Sequence, residues 1–456
     1  MSRLFAVRPI TAVILSGAML FGSVGLSAAD TADWTWPQWR GGNQDGVAEI
    51  GGVPVSWQAD ARGNGQGIAW KTDLPGRGGS TPVIADGKAF LTAGFDGYNH
   101  LLAIDVAGGK IRWDVKAGED QGNKHQKGSG SNPSAVTDGD LVYAYFRSGD
   151  LVCVNTAGEK KWSKNLQDMY ASDTLWWDLG NSPVLTDHSV IVVVMQSDSD
   201  DKKGSKSLGY LVSFDKISGD ILWKADRNTD AVSEAAQSYT TPVLVDVDGT
   251  AMIAVMGADH ATLHRVDNGE MVGDVGGFNP DENMYNRSIS SPVVTAGVLI
   301  CPYNRGETVT GIDLQKMAAG LGRDAIAWHR DDLGSDVPTP AAKDGVVYFI
   351  EDGKADPLDR GTVAAIDAKT GKTLWTVATP KSRVTFSSSP LIADDHLYVT
   401  AENARTFVIG PLASRKPELV STNDLADEDG ITVASPVPVP AGLLIRTRES
   451  LYRIGD

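Results

Sequence analysis

A serine, threonine or asparagine set directly before a proline recurs eight times in this chain, at Pro82, Pro133, Pro183, Pro242, Pro292, Pro340, Pro390 and Pro436. Successive prolines lie 51, 50, 59, 50, 48, 50 and 46 residues apart. A repeat of about 50 residues has the length of one four-stranded sheet with its connections. Eight copies therefore predict a ring of eight such sheets.

The sixth copy shows the internal order. Pro340 is followed by a polar turn at Lys343-Asp344-Gly345 and the apolar run Val346 to Ile350; after a loop come Thr362 to Asp367, a Thr370-Gly371 turn and Leu374-Trp375. This reads as strand, turn, strand, loop, strand, turn, strand, with Asp-Gly and Thr-Gly supplying the positive φ of tight hairpins. The fold class expected is all-β: an eight-bladed β-propeller of four-stranded antiparallel blades.

A tryptophan stands four residues after a glycine at Trp113, Trp162, Trp223 and Trp375, and in a looser setting at Trp328. The fourth and seventh copies lack it. The last copy ends one strand short, and Gly67-Ile68-Ala69-Trp70-Lys71, ahead of the first copy, has the form of the missing strand. The ring is expected to close by pairing this N-terminal strand into the last blade, which removes an exposed sheet edge. The organisation expected is a leader at 1–29, an N-terminal segment at 30–65 and a single propeller domain at 66–456.

The leader has Arg3 and Arg8, an apolar run from Ile10 to Leu26 and Ser27-Ala28-Ala29, the pattern of a cleaved signal peptide. No cysteine follows that run for lipid attachment, so the expected location is periplasmic or secreted, with no transmembrane segment after cleavage. The formal charge of −17 disfavours nucleic acid and anionic lipid. Only Cys153 and Cys301 are present. Their phase places them three blades apart, too far for a disulfide, so both are expected as buried thiols between blades.

The phrase Ala-x-Asp-x-x-Thr-Gly-Lys-x-x-Trp, nearly complete from Ala365 to Trp375, resembles the tryptophan-docking repeat of pyrroloquinoline-quinone (PQQ)-type propellers. The segment Trp36-Pro37-Gln38-Trp39-Arg40-Gly41, with Asn43 and Asp45-Gly46-Val47, is similar to the opening of secreted bacterial proteins of this class. Many of these are described by likeness to the outer-membrane assembly lipoprotein propeller. The resemblance implies structural docking roles for Trp70, Trp113, Trp162, Trp223, Trp328 and Trp375. It also supplies a redox criterion, because the PQQ dehydrogenases use an adjacent cysteine pair, and this sequence has none.

Function is expected where the connections entering each first strand, and the loops between second and third strands, open around the channel. The candidate ligand-binding residues there are Arg77, Lys127, Trp176, Trp177, Asp178, Tyr239, Tyr285, Asn286, Arg287, Asn304, Arg305 and Arg383, with Ser335-Asp336 entering the sixth blade. Trp176-Trp177 reads either as a stacking platform or as packing over the channel mouth. Tyr285-Asn286-Arg287 and Tyr303-Asn304-Arg305 suit recognition of a carboxylate or carbonyl, or else satisfy loop carbonyls.

No nucleophile elbow, phosphate-cradling loop or Cys-x-x-Cys pair is present. His260 and His264 share a strand but stand about 13 Å apart, so no zinc site is expected. Neither Asp246-Val247-Asp248-Gly249 nor the Ser197 to Gly204 insertion has the terminal glutamate of a calcium loop. The reading favours an exported, non-catalytic and monomeric propeller that binds a protein segment or cell-envelope component, with no catalytic residue, metal or cofactor. The alternatives are a divergent PQQ- and calcium-dependent oxidoreductase, with Trp176 or Trp177 under the cofactor and Asp178, Asn181 or Asn286 near calcium, and a carbohydrate-binding propeller.

Overall fold

A computed structural model describes residues 34–60, 64–425 and 430–455; the expected leader lies outside these. Each repeat folds as an antiparallel meander. Blade 1 comprises Val83–Ala85, Lys88–Phe95, Tyr98–Asp105 and Ile111–Glu119, and six further four-stranded blades repeat this order to Asn423. The eighth joins Val437–Val439, Gly442–Arg446 and Ser450–Gly455 to Ile68–Asp73. Arg453 pairs with Trp70 there, so the two ends of the chain close the ring as the repeat phase predicts.

The core lies between blades, where the apolar faces of neighbouring sheets meet. Val83, Phe90 and Leu101 of blade 1, for example, pack on Val142, Phe146 and Val152 of blade 2. Cys153 fills the space between blades 2 and 3, and Cys301 that between blades 4 and 5, both as buried free thiols.

Every blade has a β-bulge at the same register between its third and fourth strands, beside the tryptophan position. A bulge bends its strand and re-aims the side chain, and here the indole reaches the following blade rather than only closing its own. The Trp113 ring N–H donates to the Thr156 carbonyl at 3.1 Å, and a Cβ on Gly158 would lie 2.9 Å from the ring. Trp70, Trp162, Trp223 and Trp328 dock in the same way on Gly109, Gly219, Gly269 and Gly371. These glycines have positive φ, so the turn geometry and the close ring both require them. Trp375 packs instead beside Tyr348.

The two copies without a tryptophan are filled by other means. In blade 4 the position is Gly273, and the short helix Leu314–Ala318 lies against it: a Cβ there would be 2.4 Å from the Met317 carbonyl oxygen. In blade 7 the position is Ser421, whose hydroxyl donates to Val55 of the N-terminal segment. Trp57 of that segment is buried against this junction, its backbone N–H donating to the Asn423 side-chain oxygen.

The remainder of the N-terminal segment bonds to the first strands of five blades, crossing between them, and so plugs the channel. Trp36 exchanges backbone hydrogen bonds with Ile84 of blade 1, and Pro37 accepts one from Thr137 of blade 2. The Gln44 side chain bridges Pro242 and Leu244 of blade 4. Val47 and Ala48 pair in parallel with Ile392 and Ala393 of blade 7. Arg40 is buried with the Asp45 charge close by, its guanidinium donating to the carbonyls of Gln44, Asp45, Thr339 and Pro340. Burial pulls its pKa down to about 10.

Candidate functional site

Above the plug, on the face where the entering connections and the second-to-third-strand loops meet, lies a funnel of about 590 Å³ with Trp39 in its lining. This volume is typical of small-ligand sites and too small for a folded domain.

Its neck is built by the residues that carry the repeat. The backbone N–H of Thr81 donates to the Ser134 hydroxyl, and the backbone N–H groups of Ser134, Ser182, Thr241, Ser291, Thr339 and Ser389 each donate to the hydroxyl of the next, as far as Ser435, at 2.8 to 3.1 Å. Ser435 then donates to Thr81, so the eight bonds form a closed belt. In blade 2 the belt residue follows its proline instead of preceding it, which is why Asn132-Pro133 stands in the phrase while Ser134 makes the bond. All eight belt residues line the funnel.

The wall contains charged groups held in fixed positions. Asp178 accepts from the N–H groups of Lys124 and His125 at 2.8 Å each. Burial raises its pKa above the ordinary carboxylate value, opposed by those amides and by Arg147 and Lys124. Arg287 and Asp336 form a buried two-pronged ion pair at 3.0 and 2.9 Å. Asp352 accepts from the backbone of Asp336, Val337 and Lys354. Burial, and then the charge of Asp336, pushes its pKa up to about 6. Glu402 holds Lys127 at 2.7 Å and also accepts from Ser387.

The two adjacent tryptophans are separated by their surroundings. Trp177 lines the funnel, is 39% exposed, donates its ring N–H to Glu234 at 2.8 Å and meets His125 edge to face. Trp176 does not line the cavity and lies under Lys202. The funnel brings together Lys127, Trp177, Asp178, Tyr239, Arg287 and Arg305 of the expected set.

The other candidates are placed elsewhere. Arg77 pairs with Glu449 at the surface. Asn286 and Asn304 bond to each other at 2.6 Å, and Tyr285 is half exposed with its carbonyl accepting from Arg305. The Arg383 carbonyl accepts from Arg360. Sequence reasoning missed Trp39, His125, Asp352, Lys354, Arg360 and Glu402 as lining residues. The repeat phase places Asp352, Lys354 and Arg360 in the second-to-third-strand loop of blade 6, so a signal for them existed.

An eight-bladed ring with glycine turns receiving tryptophans defines a propeller of the PQQ-like repeat class. Within that class the chain belongs to the family described as outer membrane protein assembly factor BamB, whose model matches residues 61–199 and 319–412. The structure is similar to that of BamB from Moraxella catarrhalis, at 13% identity and a TM-score of 0.56, covering 85% of this chain and 97% of that one. It is also similar to the quinohemoprotein alcohol dehydrogenase ADHIIG from Pseudomonas putida HK5, at 13% identity and 0.63, covering 94% and 81%. Saccharomyces cerevisiae Sqt1 gives 10% identity and 0.55, covering 85% and 98%. At these identities the likeness speaks for the fold alone. No curated protein matches the sequence.

Proposed function

We propose that this chain is an exported, non-catalytic propeller that binds an extended segment of a protein or cell-envelope component in the funnel at its channel mouth. The observation that carries this reading is a rigid, hydrogen-bonded ring around a blind funnel whose wall presents an exposed indole among hydroxyl and cationic groups. Aromatic anchors beside polar groups are what peptide recognition uses. The family's association with outer-membrane assembly supports a role in the cell envelope.

A quinone with calcium suits this donor set poorly. Cys153 and Cys301 are buried between blades and do not line the funnel. Asp178, Asp336 and Asp352 are already engaged by backbone amides or by Arg287.

The test is fluorescence anisotropy with a labelled, reduced and carboxymethylated polypeptide that cannot fold. Binding to the wild type, weakened about tenfold or more in Trp177→Ala, supports the proposal. Unchanged affinity in that variant would remove Trp177 from the site. Binding of a glycan array in place of the polypeptide would move the reading to a sugar platform.

A further inference from the structure

The charge and donor balance of the funnel goes one step further and names the chemistry of its occupant. Each belt hydroxyl accepts one backbone N–H, and no belt hydroxyl has an acceptor for its own proton among the described residues. A hydroxyl can donate as well as accept, and accepting a hydrogen bond polarises it toward donation. The neck is thus a ring of unengaged donors around the axis.

The charged groups above it lean the same way. The carboxylates Asp178, Asp336 and Glu402 are each answered by amides or a cation, while Asp352 is held by three amides. The cations are not all answered in return. Lys354 makes no side-chain bond among the described residues, and Arg305 and Arg360 donate only to carbonyls. These three stand together in the loops of blades 5 and 6, on a chain of net charge −17. Below the neck the plug blocks the axis, so the funnel can receive a chain end but cannot pass a chain through.

We propose that the funnel receives the free C-terminal carboxylate of an extended peptide, with the carboxylate toward the donor neck and the cations of blades 5 and 6, and a preceding side chain against Trp177. This rests on the segment-binding reading. Hydrogen bonds from charged donors to a carboxylate are the strong kind, so loss of the terminal charge is expected to weaken binding by about 10- to 100-fold.

The test uses random hexapeptides immobilised by their N-termini, presented once with free C-terminal carboxylates and once as C-terminal amides. The free-carboxylate array is expected to bind at least about tenfold more tightly, with the difference shrinking as salt rises. It should be lost in the double variant Arg305→Asn, Lys354→Gln, provided that its thermal melt matches wild type; a lower melt moves the test to Lys354→Gln alone. Equal binding of both arrays would overturn the carboxylate inference and leave segment binding standing. Binding governed by internal acidic residues whatever the terminus would overturn the chain-end placement. Failure of both arrays, together with failure of the carboxymethylated polypeptide, would overturn the segment-binding reading itself.

Discussion

The backbone N–H of Ser435 donates to the hydroxyl of Thr81 at 2.9 Å, across 354 residues of sequence, and so completes the belt of eight bonds that circles the neck of the funnel. The serine and threonine beside the proline of each repeat are therefore the groups that tie every blade to the next. The same atoms form the neck of the proposed site, so ring closure and site geometry share one set of residues.

Thr81→Val keeps the shape and removes this acceptor, leaving the buried Ser435 N–H without a partner. Denaturant unfolding should show a loss of about 1–3 kcal/mol. A loss under about 0.5 kcal/mol would mean that the belt contributes little to closure.

Closure also rests on the N-terminal strand. Removing residues 66–73 deletes the outer strand of blade 8 and with it Trp70, which docks on Gly109 of blade 1. A sharply lower Tm is expected in calorimetry, and an unchanged one would contradict the pairing.

The plug depends on Arg40, which serves four carbonyls at once. Arg40→Met leaves them buried without donors, and chemical unfolding should show a loss of about 3 kcal/mol. Faster amide exchange along residues 36–47 should accompany it, because the segment keeps only the Ala342 N–H to Asp45 carbonyl bond to blade 6.

Glu351, beside the funnel residue Asp352, gives a pH signature. Burial, and then the charges of Asp359, Asp332 and Asp352, push its pKa up to about 7 from an unfolded value near 4.5. The folded value is the higher one, so its stability contribution is complete below about pH 4.5 and is lost as pH rises through about 7. Glu351→Gln mimics the protonated form. Its Tm should match wild type near about pH 4.5 and exceed it by about 2 °C or more near about pH 8.

How much of this was legible follows from where the partners lie. The closing strand, the blade phase and the separation of Cys153 from Cys301 could be read because each depends on position within a repeat. The plug could not, because Trp36 to Val47 stands outside the repeats and its contacts are to backbone of five blades that no side-chain pattern announces. Trp176 and Trp177 were equivalent as neighbours; Glu234, in the connection that follows blade 3, selects Trp177 for the funnel. Arg77 belonged to the correct connection, yet Glu449 draws it to the surface.

On the proposed reading the funnel face, and not another surface, receives the extended segment. A photo-crosslinking phenylalanine analogue at position 177 tests this against the same group at Ile217, which is 64% exposed at the turn between the third and fourth strands of blade 3. The labelled, carboxymethylated polypeptide should crosslink from position 177 and not from position 217. Crosslinking from position 217 with none from position 177 would contradict the account.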